Sequence, residues 1–151
     1  MKNPYQAILG NKVLIITLAV WAAAQTVKVL LGVVRERRFN FQWFIGTGGM
    51  PSSHAAGATA LATTCGMEMG FDSVIFALAA VFAMVTMFDA QGVRRETGQQ
   101  AEILNRILED IYWKGKIESN QLKELIGHTP FQVFVGSLFG FCLSLAFYKI
   151  W

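Results

Sequence analysis

An all-α, polytopic membrane bundle of about four transmembrane helices, with an amphipathic helical insertion on the cytoplasmic side, is the fold class this sequence predicts. Composition is the first reason. Of 151 residues, 54% are hydrophobic and only 15% are charged, and the mean hydropathy is +0.42. Soluble domains carry about 45–50% apolar and about 25% charged residues. The second reason is three apolar runs of roughly the 20 residues that a hydrocarbon core demands. The third is a segment of small residues at four-residue spacing, which suits close helix packing inside a membrane. The length fits one domain over residues 1–151. A formal charge of +3 is too small to imply nucleic acid; the partner implied is the lipid bilayer.

Residues 13–34, "VLIITLAVWAAAQTVKVLLGVV", form the first span. No small-residue cleavage site follows, so a retained helix is expected rather than a removable signal peptide. After it comes "GGMPSSHAAG", residues 48–57, leading into "AAGATALATTCGMEMG". There Ala55, Thr59 and Thr63 recur at every fourth position, as do Ala56, Ala60 and Thr64. This small-xxx-small pattern predicts a short helix surrounded by protein and ending near Gly66–Gly70. Residues 72–90 and 131–150 are the second and third spans.

Residues 91–128 are the only long polar stretch. Within it, "QQAEILNRILEDIYW" sets Ile103, Leu104, Ile107, Leu108, Ile111 and Tyr112 on one helical face. Such a face suits a helix lying on the membrane surface or over a site, and equally one packed on its neighbours. Cys65 and Cys142 sit in apolar runs and read as small buried hydrophobes. Two such cysteines and two histidines make a poor zinc set, because catalytic zinc takes about three protein ligands. No metal and no cofactor are expected.

Four crossings bring the end of the first span, both ends of the polar stretch and the start of "PSSH" to one side. Of 13 lysines and arginines, only Lys2, Lys12 and Lys149 fall on the other. The positive-inside rule then predicts a multi-pass cell-membrane protein whose motif-bearing face is cytoplasmic.

Both histidines stand beside a proline where a helix begins. Pro51 is expected to open the short helix and put His54 in its first turn. In "GHTPF", Thr129 can cap and Pro130 can take the first helical position, leaving His128 just outside. Helix N-termini attract anions, phosphate especially, and Gly48, Gly49 and Gly127 allow close backbone approach. Two imidazoles at two such ends suggest a phosphate site; two interfacial histidines in helix-cap hydrogen bonds are the open alternative. Lys28 and Arg35 share a helix face about 10 Å apart along the axis. Arg35 also fits a cation snorkelling to the interface, whereas Lys28 lies deeper, where a charge is expensive and tends to be functional. Asp89 is similarly placed at the end of its span, and Arg94 and Arg95 can pair with it or reach a phosphate.

Together "GGMPSSH", "DAQGVRRETGQQAEILN" and "GHTPFQVFVG" resemble the divergent branch of the type 2 phosphatidic acid phosphatase superfamily, also labelled acid phosphatase/vanadium-dependent haloperoxidase-related. The resemblance covers roughly Gln25 to Gly140, with three blocks in the right order. The superfamily signature is a lysine six residues before Arg-Pro, then Pro-Ser-Gly-His, then Ser-Arg with a downstream His-x-x-x-Asp. Lys28 and Arg35 match the first block, with Glu36 in place of proline. Pro51-Ser52-Ser53-His54 matches the second, with Ser53 in place of glycine. His128 matches the third-block histidine, Gln132 stands in the acidic position, and Arg94 or Arg95 matches the arginine at an unusually long spacing.

By that resemblance, His128 would attack phosphorus and His54 would protonate the leaving oxygen. Lys28, Arg35, Ser52, Ser53, Arg94 and Arg95 would hold the phosphate. Gln132 would orient His128 through its amide oxygen, with Asp89 or Glu96 a substitute for the missing acid. The usual six-helix bundle is trimmed to about four, which allows a site completed within a homo-oligomer. The expected activity is hydrolysis of a membrane lipid phosphate, of phosphatidylglycerophosphate or phosphatidate type, or of a polyprenyl pyrophosphate. The rival is a non-catalytic membrane protein that binds anionic lipid headgroups.

Overall fold

The computed structural model describes residues 3–37, 49–112 and 128–151, the side chains of 93–97 and 109–112 excepted. The elements are α1 (Pro4–Leu9), α2 (Lys12–Glu36), α3 (Ser53–Met69), α4 (Val74–Gln91), α5 (Val93–Tyr112) and α6 (Pro130–Ile150). Among the described residues all regular structure is helical.

Local chemistry sets the boundaries. Asn11 caps α2 by accepting from Leu14 N at 3.0 Å, and Ser73 caps α4 by accepting from Phe76 N at 3.1 Å. Thr129 caps α6 with Pro130 in the first turn, as the sequence predicts. Gly70, at φ +92°, ends α3 in a conformation that a side chain would strain. The start of α3 differs from expectation by one step. Pro51 lies ahead of the helix, and Ser52 takes the cap by accepting from Ala55 N at 3.4 Å.

α2, α4 and α6 are long and apolar enough to cross a membrane. Only 28%, 17% and 22% of their most apolar windows are buried by protein, so most of their surface is left for lipid. α3 is the reverse: 11 of its 17 residues are buried, among α2, α4 and α6. At about 25 Å it is shorter than its neighbours.

Small residues make that central position possible. A Cβ on Gly136 would lie 3.0 Å from Ser52 N, and one on Gly140 would lie 2.8 Å from Ala56 Cα. α6 therefore meets α3 backbone to backbone along two glycines four residues apart. On other sides of α3, Ala56 and Ala60 pack with Ile16, Val20 and Ala24 of α2, and Ala58, Ala62 and Cys65 pack with Ala79 and Ala83 of α4. The Thr63 and Thr64 hydroxyls donate to the carbonyls of Thr59 and Ala60 at 2.8 and 2.7 Å, so neither is unsatisfied in the core. At the far end, the Tyr148 hydroxyl lies 2.8 Å from Glu68 Oε2, and Lys12 Nζ sits 3.7 Å above the Tyr148 ring. That cluster ties α2, α3 and α6 together.

α1 has no counterpart in the sequence reading. α5 begins at Val93 rather than near Gln99. It buries Gly98, Ala101 and Asn105 and leaves Ile103, Leu104 and Ile107 exposed, so these apolar positions do not pack on the bundle. Ile111 and Tyr112 side chains lie outside the described ones.

Gly140→Ala should lower stability by about 1–3 kcal/mol, because the added methyl meets backbone rather than a side chain that can move. Leu138→Ala, on the lipid side of the same helix, should change it little. Thermal melting of both variants in detergent, followed by tryptophan fluorescence, reads the difference.

Candidate functional site

The ends of three helices and one buried cation converge at one face of the bundle. Two backbone hydrogen bonds fasten the helix ends: Ser52 N donates to the Gln132 carbonyl at 3.3 Å, and His128 N donates to the Ala90 carbonyl at 3.1 Å. The first joins the start of α3 to the first turn of α6. The second joins the start of α6 to the end of α4.

These ties bring the imidazoles together. His54, in the first turn of α3, and His128, two residues before α6, have ring centroids 6.0 Å apart at 62°. His128 is buried, with 3% of its surface exposed, while His54 is half-buried. Both lie at helix N-termini, where backbone N–H groups and the helix dipole favour negative charge.

Gln132 fixes the state of His128. Its Oε1 accepts from Thr129 N at 3.0 Å and lies 3.3 Å from His128 Nδ1. The Thr129 N–H can only donate, so the Gln132 atom there must be the carbonyl oxygen, which can only accept. Nδ1 therefore carries the proton, and a neutral His128 keeps its lone pair on Nε2. In the same turn Gln132 N donates to Thr129 Oγ1 at 3.3 Å, completing a reciprocal capping box. The residue that orients the imidazole is thus itself held by a helix cap.

Lys28 is buried inside α2, with 9% of its surface exposed. Its stem passes the turn that leads to Ser52: a Cβ on Gly49, at φ +86°, would come 3.1 Å from Lys28 Cγ and Cδ. The other expected phosphate ligands are placed less uniformly. Ser52 is fully buried and its hydroxyl oxygen is engaged in capping. Ser53 is buried beside His54. Arg35 is exposed on the last turn of α2. Asp89 is half-buried, one residue before the carbonyl that receives His128 N–H. The side chains of Arg94, Arg95 and Glu96 lie outside the described ones, and so do Gly48 and Gly127. Among the described residues, no three side chains of His, Cys, Asp or Glu gather as a metal would need.

Two contacts escape sequence reasoning. The Ala90 carbonyl has no residue-type signature, because any residue can supply it. The Gly136/Gly140 pair is visible as a four-residue repeat, but its partner surface is not.

A helical membrane protein with two imidazoles meeting at paired helix N-termini is the class that this fold and site define. The chain belongs to the Divergent PAP2 family, whose description matches residues 9–143. It is similar to the uncharacterized membrane protein YuiD of Bacillus subtilis (strain 168), at 42% identity over 149 residues, covering 91% of this chain and 94% of that protein. No solved structure matches the chain significantly.

Gln132→Leu should remove both the orienting contact and half of the capping box. The expected outcome is a His128 imidazole that loses its fixed Nδ1–H tautomer, read by ¹⁵N NMR of histidine-labelled protein, with about 1 kcal/mol lost from the α6 cap.

Proposed function

We propose that this protein is an integral membrane lipid phosphate phosphatase that hydrolyses a phosphomonoester, of phosphatidylglycerophosphate or phosphatidate type, at the cytoplasmic leaflet. The observation that carries the reading is the imidazole pair, with Gln132 holding His128 in the tautomer that leaves Nε2 as a nucleophile.

In this reading, Nε2 of His128 attacks phosphorus as the bond to the lipid oxygen breaks, and the His54 imidazolium gives its proton to that leaving oxygen. A phosphohistidine results. Neutral His54 then takes a proton from water, which attacks phosphorus, breaks the N–P bond and releases inorganic phosphate. Two steps through a covalent intermediate divide one high barrier into lower ones. Lys28, the N–H groups at the α3 and α6 starts, and Arg35 with Arg94 or Arg95 would hold the equatorial oxygens, where charge concentrates. Ser52 and Ser53 would shape the turn beneath them, and Asp89 would supply the negative charge that Gln132 lacks. No cofactor enters this chemistry.

One observation favours a second reading. Gln132 is neutral where a charged partner would stabilise the imidazolium formed on attack, which suits a protein that binds anionic lipid headgroups without turning them over.

Purified protein in detergent should release phosphate from a panel of lipid phosphates. His128→Ala should abolish release and the acid-labile phosphoprotein, and His54→Ala should slow release by about 10²–10⁴-fold. Headgroup binding without release by wild type on the whole panel would favour the second reading. Sidedness is separable: with Cys65 and Cys142 replaced, a cysteine introduced by Ser119→Cys should label in intact cells only with a membrane-permeant thiol reagent. Labelling by an impermeant one would place the motif-bearing face outside.

A further inference from the structure

A groove of about 370 Å³ opens between α2, α3 and α4, inside the roughly 300–1,000 Å³ range of small-molecule sites. Its floor is one stripe of α3. His54, Gly57, Ala58 and Leu61 line it at i, i+3, i+4 and i+7, so it runs for about 10 Å parallel to the helix axis. The α6 seam uses Ser52, Ala56 and their neighbours instead, so the groove and the tight packing occupy different faces of one helix.

The groove has a polar head and a mostly apolar shaft. His54 and Ser53 stand at the head. Below them Trp21 and Phe82 form walls, and the Thr86 hydroxyl is already spent on the Phe82 carbonyl at 2.8 Å. The Thr17 hydroxyl is buried without a hydrogen-bond partner among the described residues. Gly57 keeps the floor low: a Cβ there would already touch Trp21 at 3.5 Å, so a longer side chain would fill the channel. The rim opens sideways. Leu18 and Phe82 are 52% and 57% exposed, on helices whose outer surfaces face lipid.

We infer that this groove holds one hydrocarbon chain of a phosphorylated lipid, with the phosphate beside His54. Trp21, Gly57, Leu61 and Phe82 then set which chains are accepted. The position of the phosphate rests on the phosphatase reading; the presence of the chain does not. The match is one of polarity and direction. An amphiphile in the bilayer carries its headgroup at the interface and its chain along the membrane normal, as the groove does along α3. A water-soluble phosphomonoester would leave the shaft empty and gain nothing from it.

The test uses the full-length protein in nanodiscs, with octadecyl phosphate and butyl phosphate as substrates. Gly57→Leu should lower kcat/KM for octadecyl phosphate relative to butyl phosphate by about tenfold or more. An equal effect on both, or none, overturns the inference. An octadecyl phosphate bearing a mid-chain diazirine gives a second readout, on wild type and on His128→Ala. Crosslinks at Trp21, Leu61 or Phe82 that excess octadecyl phosphate suppresses support the groove whether or not phosphate is released. Crosslinks confined to outward residues such as Val81 and Val85, insensitive to competitor, overturn it. Suppressible groove crosslinks, with no release from either alkyl phosphate or from the lipid phosphate panel, would leave the groove standing and favour headgroup binding over the phosphatase reading.

Discussion

Backbone contact between α3 and α6 sets the spacing on which the site depends. Inside a membrane, lipid tails are as apolar as leucine, so helices gain little from hiding apolar side chains against one another. What remains is dispersion and interhelical hydrogen bonding, and both reward close approach. Gly136 and Gly140 supply it, and Ser52 and Ala56 receive it. Because the contact begins at the first residues of both helices, with Ser52 N bonded to the Gln132 carbonyl, it holds the two N-termini level. His54 follows Ser52 by two positions and His128 precedes Gln132 by four, so a shift in the seam moves one imidazole relative to the other.

Gln132 concentrates three jobs in one residue. Its backbone carbonyl accepts from Ser52, its amide oxygen orients His128, and its side chain closes the capping box with Thr129. A neutral amide performs the two side-chain jobs without adding a charge to the turn. The compensation falls on the reaction. In the phosphatase reading, positive charge grows on the His128 ring during attack, and the amide dipole opposes it less than a carboxylate would. That favours slower phosphoryl transfer from substrate and a phosphohistidine whose positive charge is less stabilised, hence a better leaving group in the second step.

Much of the fold is legible because the bilayer and the helix caps impose rules that sequence obeys locally. The expected spans at 13–34, 72–90 and 131–150 meet helices at Lys12–Glu36, Val74–Gln91 and Pro130–Ile150, since span length follows from hydrocarbon thickness. The small-residue segment ends at Gly70, inside its expected range. What the sequence leaves open has physical causes too. An apolar stripe marks α5 without saying whether it faces the membrane surface or the neighbouring helices, because amphipathicity points inward only when the outside is water. Beside a bilayer, Gly98 and Asn105 can face protein while Ile103, Leu104 and Ile107 face out. Arg35 fits the signature by spacing, yet spacing on a helix fixes direction and not depth, and the residue ends exposed.

The two ends of the bundle differ in how they handle charge, and the difference bears on function. At the far end the polar groups satisfy one another: Glu68 meets the Tyr148 hydroxyl, and Lys12 lies on the face of the same ring. At the site end, the N-termini of α3 and α6 and the buried Lys28 share one face with the half-buried Asp89. Lys28 is also given a glycine at positive φ to pass, so its stem reaches the turn before His54. In the phosphatase reading, a buried cation close to two helix N-termini, in a region where cations are expensive, suits an anion that arrives and leaves.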